Sequence, residues 1–455
     1  MTTTLAEPTT ETDGVLAPQY RALTIGMVAL ITLVAFESLA VATAMPTVAQ
    51  ALDGLSLYAL AFGGPLASGV VAMVVSGTWS DLKGPTRPLW HGTAWFLAGL
   101  LIAGFAPSME VLVAGRIIQG YGSGLLTVAL YVIVGHLYPA RLRPRIFAAF
   151  ATGWVVPSLV GPAIAGLIVE HASWRFVFLA VPVLAVPAAL VMRPGLARGS
   201  GYDVRPGKLW DKRAMWAVAA AIGVGLLHYG GQQRGVVQIV LLVAGLAGVI
   251  AFGPRLLPRG TFAFGRGLPS VVALRGLVAA SGFGAEVFLP LMLTRERGLS
   301  PALAGLVLTV SALSWSAASW YRGRPNQPFS HGVFLQAGMI LIVLGIATAT
   351  LTLDQHVPVL VGIIGWSLTG LGMGTVFPTL SVLVLDYSER DEQGANSSAA
   401  QLSDSLSTAT VLAIGGSLFA AMEPHSAVTA YVVAFGFPAL LALLGVQAAR
   451  RTARI

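Results

Sequence analysis

The sequence predicts an all-α integral membrane protein made of two pseudo-symmetric six-helix bundles with two extra helices between them. Three observations carry that expectation. Of 455 residues, 56% are hydrophobic and only 10% charged, against roughly 25% charged in soluble domains, so most of the surface must face lipid. Apolar runs of about 20 residues, enough to cross a hydrocarbon core of roughly 30 Å, recur from end to end. The chain also repeats itself: Gly120, Gly122 and Gly124 return 250 residues later as Gly370, Gly372 and Gly374, and Gly166 returns as Gly416. Two parallel copies of a six-helix unit imply a pseudo-twofold axis along the membrane normal, with a substrate site between them near the midplane.

The elements follow in order. Residues 1–20 are polar and lack a basic n-region, which predicts a disordered cytoplasmic tail rather than a signal peptide. Residues 21–193 form the first bundle, with spans at 22–50, 57–79, 88–107, 111–137, 145–169 and 174–192. Residues 194–266 form a linker with a basic loop and spans at 213–230 and 235–253, which carry no embedded charge and suit peripheral packing. Residues 267–449 form the second bundle, with spans at 268–293, 302–320, 331–352, 357–385, 396–421 and 428–448, before a basic tail at 450–455. Fourteen transmembrane helices place both termini on one side. With that side cytoplasmic, inner segments hold 21 of the 27 Lys and Arg residues, and the outer segments hold Arg175, Arg234, Arg295 and Arg297. This is the asymmetry of the positive-inside rule, so the net charge of +8 marks topology rather than nucleic-acid binding. Affinity for anionic membrane lipids is a by-product.

Several chemistries are excluded. Cysteine is absent, so there is no disulfide framework or thiolate nucleophile. The seven histidines fall at span ends or in loops, which predicts no metal site, and no protease, hydrolase or nucleotide-binding motif appears. Neither an enzyme nor a cofactor is expected.

Five charged residues fall inside apolar runs: Glu37, Arg116, Arg275, Glu286 and Asp404. A charge at bilayer depth is costly unless it is paired, protonated or facing water, so each is a functional candidate. A guanidinium at mid-helix costs roughly 2.5–3.5 kcal/mol even on insertion scales, and Glu37 is the expected partner of Arg116. The structural alternative is a static buried pair. Glu286 lies 11 residues after Arg275, on one face but too far to touch at about 1.5 Å of rise per residue. It is either a second proton or cation site or the partner of a polar residue on another helix. Asp404, near the inner end of its span, is expected at a cytoplasmic gate. Trp154, Trp315 and Trp366, with Gln119 and Tyr131, would line an aromatic cavity for flat or cationic ligands. Lipid-facing or core packing is the alternative for these rings.

Four stretches carry a family resemblance. Gly77-Thr-Trp-Ser-Asp81-Leu-Lys-Gly84-Pro-Thr-Arg87 resembles the G-x-x-x-D-x-x-G loop signature of the major facilitator superfamily. The resemblance implies that Asp81 anchors a charge network locking the cytoplasmic side. Pro85 replaces the family's usual basic residue, with Arg87 as the candidate substitute. Arg116-Ile-Ile-Gln119-Gly120-Tyr-Gly122-Ser-Gly124 resembles the second motif, whose arginine lies near the first helix's acid. Its glycines are best explained by close helix packing. Gly161-Pro162-Ala163-Ile164-Ala165-Gly166 is similar to the G-P-x-x-G-G stretch of drug/proton antiporters, with Ala165 in place of one glycine. A generic packing kink is the alternative. Glu37, nine residues before Pro46, resembles the first-helix acid of the fourteen-helix antiporter branch, where aspartate is usual.

The resemblance implies a major facilitator fold and a multidrug-type exporter, exchanging protons for amphipathic small molecules in a bacterial cytoplasmic membrane, as a monomer. Export of a lipid or siderophore-like metabolite on the same scaffold stays open. A non-transporting sensor or scaffold is a further alternative, and a channel would not need a lockable loop around Asp81.

Overall fold

The computed structural model describes residues 14–54, 57–197, 206–231, 233, 235–299, 301–324 and 327–452. Residues 1–13 of the expected tail, 198–205 and 234 of the linker region, and 453–455 lie outside the described residues, as do the side chains of Pro46 and Pro162. Each of the fourteen apolar stretches is helical. The first bundle holds α1 (Arg21–Ala51), α2 (Tyr58–Lys83), α3 (Thr86–Gly104), α4 (Met109–Leu137), α5 (Arg143–His171) and α6 (Arg175–Val191). A short α7 (Arg193–Ala197) leads to the extra pair, α8 (Lys212–Gly230) and α9 (Gly235–Leu256). The second bundle begins with a broken helix, α10 (Leu268–Glu286) and α11 (Phe288–Arg295). It continues with α12 (Pro301–Arg322), α13 (His331–Thr350), α14 (Val359–Asp386), α15 (Gln393–Met422) and α16 (Ala427–Ala449).

Among the described residues, ten helices are long and apolar enough to cross a membrane, or eleven if α5, bent by 43° between Gly161 and Ala163, counts as one span. The remaining long helices are α3, α8 and α15, of which α15 is polar in its first half. Its first half carries Asn396, Ser397, Ser398, Gln401, Ser403 and Asp404, most of them buried against other helices rather than facing lipid.

The repeat is visible in the packing. In the first bundle α4 packs on α2 and α3, and α1 on α5 and α6; in the second, α14 packs on α12 and α13, and α10 on α15 and α16. The repeated glycines sit at matching crossings. A Cβ on Gly120 or Gly124 would strike the backbone of α2, and one on Gly370 or Gly374 that of α12. Gly122 and Gly372 stand likewise against α3 and α13. Gly115 and Gly365, a further pair at the same offset, do the same. These glycines are small-residue packing points. The extra helices lie on α2 and α15, where Ala217, Ala220 and Val224 of α8 cluster with Val70, Val74, Leu402 and Leu406. The seven residues from Gly14 to Tyr20, expected as tail, form a turn docked on the first bundle. Tyr20 stacks on Tyr138 at 5.0 Å, because an aromatic ring beside α1 finds an apolar surface there.

Candidate transport site

Four helices build the first-half site. Glu37 on α1 is 3% exposed and Arg116 on α4 is 7% exposed. Arg116 Nη1 donates to Glu37 Oε1 and to Gln119 Oε1, and its Nε donates to the Ala61 carbonyl of α2 at 3.3 Å. The spacing of Arg116 and Gln119, one turn apart on α4, lets the amide accept from the same guanidinium nitrogen. Gln119 therefore belongs to the ion-pair network, holding Arg116 toward α1. Around it the walls are apolar: Ala40, Val41 and Ala44 of α1 with Phe96 and Leu100 of α3.

The second half holds a different cluster. Arg275 on α10 donates from Nε to Asp404 Oδ2 at 2.8 Å, from Nη1 to Ser381 Oγ at 2.7 Å and from Nη2 to Gln401 Oε1 at 3.0 Å. Its Nη2 also reaches Tyr131 Oη of the first half at 3.4 Å. The guanidinium lies 5.4 Å from the Tyr131 ring and 5.3 Å from that of Phe377, a placement that favours a cation over the π faces. Sequence reasoning named Arg275 and Asp404 separately and did not join them. The signal was available: two opposite charges at similar depth in two apolar runs, each requiring a partner.

The other expected residues are distributed as follows. Glu286, the last residue of α10, is half-buried and forms no hydrogen bond or ion pair among the described residues. Trp315 stacks on Phe377 at 5.3 Å and 16° and approaches Phe283 at 6.1 Å, with its indole Nε1 buried and unbonded. Tyr131 packs on Phe147. Trp154 is 47% exposed on α5. Trp366 departs from the expected cavity position: it is 1% exposed in the core of the second bundle. It stands at the place in α14 that Arg116 occupies in α4, and there it packs into the apolar core of its own half.

The end carrying the termini is closed by contacts between the halves. Asp81, in the last turn of α2 rather than in a loop, accepts from the backbone N–H of Gly394 at 2.6 Å and of Ala395 at 2.7 Å. These are the second and third residues of α15, whose own N-cap, Glu392, makes no capping bond. Asp81 thus caps a helix of the opposite half, where free N–H groups and the helix dipole favour an anion. The helices can approach because Gly77 faces Gly394: a Cβ on Gly77 would lie 2.6 Å from the Gly394 carbonyl oxygen. Gly84 ends α2 with φ of 77°, a conformation that requires glycine. Arg87 is exposed and has no side-chain hydrogen bond or ion pair among the described residues, so the contact rests on backbone donors. Arg143 Nη1 to Asp386 Oδ1 at 2.9 Å and Thr152 Oγ1 to Ser316 Oγ at 3.0 Å add further ties at this end.

The far end has no such tie among the described residues. Gly166, Gly305 and Gly416 would meet nothing within 4 Å of a Cβ, and Gly161 would touch only Phe36 and Leu39 of its own half. Ala165, standing where a glycine was expected, is fully buried in the core of the first half.

Residues 27–285 match the family model of the Major Facilitator Superfamily. A probable multidrug-efflux transporter of Mycobacterium tuberculosis is 28% identical over 356 residues, which is 75% of each chain. Multidrug transporter protein MdtP of Bacillus subtilis is 26% identical over 81% of this chain and 69% of its own. Among solved structures, the human organic anion transporter MFSD10 superposes with a TM-score of 0.69 at 14% identity, covering 95% of this chain and 99% of its own. The Escherichia coli fucose:proton symporter FucP gives 0.64 at 14% identity, covering 95% of this chain and 99% of its own. The multi-span helical architecture, its two packed halves and this match over more than half its length show that the chain is a membrane transporter, not an enzyme, and belongs to the Major Facilitator Superfamily.

Proposed function

We propose that the protein exports amphipathic small molecules across a bacterial cytoplasmic membrane in exchange for protons, with Glu37 as the proton-carrying group. The observation that carries this reading is the buried Glu37–Arg116–Gln119 cluster, a carboxylate on one helix held by a cation on another inside an apolar bundle. The names of the bacterial multidrug relatives support the direction of transport. In this reading fourteen helices cross the membrane, and the arginine-rich end bearing the termini is cytoplasmic. The contacts through Asp81, Arg143 and Thr152 then close the inner face while the outer face is accessible.

The cycle follows from charge balance. Ionised Glu37 pairs with Arg116; protonation removes the charge and frees Arg116 to bond Gln119 and the Ala61 carbonyl alone. Substrate entering from the inner face favours release of the proton inward, and reprotonation from outside resets the site. One proton moving inward through 100 mV supplies about 2.3 kcal/mol, with any pH gradient added. Trp315, Phe283 and Phe377 offer aromatic faces to a flat substrate, with Glu286 one turn beyond Phe283 at the end of α10. In this reading the Gly161, Pro162 and Gly166 stretch favours exchange over leak, with Gly161 at the approach of α5 to Phe36 and Leu39 of α1.

The test is substrate-induced proton release in everted vesicles, with lipophilic cations and neutral drugs as probes. Wild type responds and Glu37→Gln does not. An equal response in the variant would remove Glu37 from coupling, and silence of the wild type across the panel would favour a lipid or siderophore-like cargo.

A further inference from the structure

A cavity of about 590 Å³ opens at the terminus-bearing end, lined by Arg213 and Trp216 of α8, Arg255 at the end of α9, Arg259 just beyond it, and Glu392 and Ala395 of the second half. Three arginines face one carboxylate, an excess of two positive charges among the lining residues. The planar guanidinium forks match phosphate oxygens. Arg255 spends one nitrogen on the Ala251 carbonyl, and Arg213 bonds the Leu256 carbonyl at 3.3 Å, so both are oriented while keeping further donors.

The surroundings favour a lipid over a free anion. Trp216, Pro254 and Leu257 give the pocket an apolar side. On the same two helices, α8 and α9, Met215, Ile222 and Ile250 are all more than half exposed. An acyl chain fits along that flank with its phosphate at the arginines, at the depth where helix ends meet headgroups. Inorganic phosphate has no use for the flank.

The pocket also straddles the gate. Its α8 wall is fastened to the first half, where His228 fills the space over Gly63. Its other wall is the first turn of α15, and Ala395 both lines the pocket and donates to Asp81. We propose that this pocket binds the phosphate of an anionic phospholipid and that the bound headgroup holds α15 against the first half, stabilising the closed face.

The experiment uses the purified full chain in nanodiscs and in detergent. Native mass spectrometry compares retention of phosphatidylglycerol and phosphatidylcholine by wild type and by the Arg255→Gln/Arg259→Gln double variant, whose replaced side chains are exposed. Wild type retains phosphatidylglycerol over phosphatidylcholine, and the double variant loses about tenfold or more of that preference, with an unchanged unfolding midpoint in phosphatidylcholine. Spin labels at Arg87→Cys and Glu389→Cys, one on each half, report a narrower distance distribution on adding phosphatidylglycerol to wild type only. Equal retention by both proteins overturns the site. Displacement of the lipid by millimolar inorganic phosphate overturns the lipid source, and an unchanged label distance overturns the link to the gate. None of these readouts depends on transport, so a failure here is distinct from a failure of the export reading.

Discussion

The two halves share a backbone plan and differ in how they handle charge. In the first, α4 presents Arg116 to Glu37; in the second, the residue 250 positions on is Trp366, fully packed, and Gln119 is matched by Thr369, which bonds its own helix at the Gly365 carbonyl. The acid of the second half has also slipped: Glu286 is one residue short of the repeat offset, a turn of about 100° around a helix. It is left at a helix break without a hydrogen-bond or ion-pair partner among the described residues, whereas Glu37 is clamped. The second half places its arginine elsewhere, at Arg275, where it binds Asp404 and reaches across to Tyr131. The glycine crossings, which packing demands, recur in both halves, while the charges differ: one pair lies inside a half and one cluster reaches between halves.

The sharpest way to break this contrast is to unclamp the first half. Arg116→Met leaves the Glu37 carboxylate buried without its cation, and removing one partner of a buried pair costs about 3–5 kcal/mol. The unfolding midpoint in detergent should fall steeply near neutral pH and recover in part in acid, where a protonated Glu37 no longer needs a counter-charge. The double variant Glu37→Gln/Arg116→Met should regain much of the loss. A single variant as stable as wild type would show that the pair is not a structural clamp.

The next effect concerns the tie between halves. Asp81→Asn removes the anion from the α15 N-terminus while keeping one acceptor oxygen. Loss of a helix cap costs about 0.5–2 kcal/mol, here drawn from the closed state. A cysteine at Ser398, buried where α15 meets Gly77, should label faster in the variant by about tenfold if roughly 1.4 kcal/mol of the tie is lost. Unchanged labelling would mean that Arg143–Asp386 and Thr152–Ser316 suffice to hold the face shut.

Much of this architecture was legible in the sequence, because backbone in lipid must satisfy its own hydrogen bonds as helix, which most of these stretches mark by long apolar runs, and the repeated glycines mark the helix crossings. The Glu37–Arg116 pairing was legible for the same reason: each charge is untenable alone. Sequence could not give the partner of Asp81, because that partner is backbone N–H, which every residue carries. Nor could it separate Trp366 from Trp315. Both are tryptophans deep in apolar helices, and only the packing partners distinguish a core ring from one stacked beside Phe283.

The smallest stability effect sharpens the contrast from the other side. Glu286→Gln breaks no hydrogen bond or ion pair among the described residues, and it replaces an ionisable group with a neutral one of the same shape. Its effect on the unfolding midpoint should be within about 0.5 kcal/mol of wild type, against the several kcal/mol expected at Arg116. Transport should be the more sensitive readout. If Glu286 meets the positive end of a cationic drug beside Trp315, efflux of lipophilic cations falls while efflux of neutral drugs is kept. Equal loss for cations and neutral compounds would instead place Glu286 with Glu37, as a second group in the proton path.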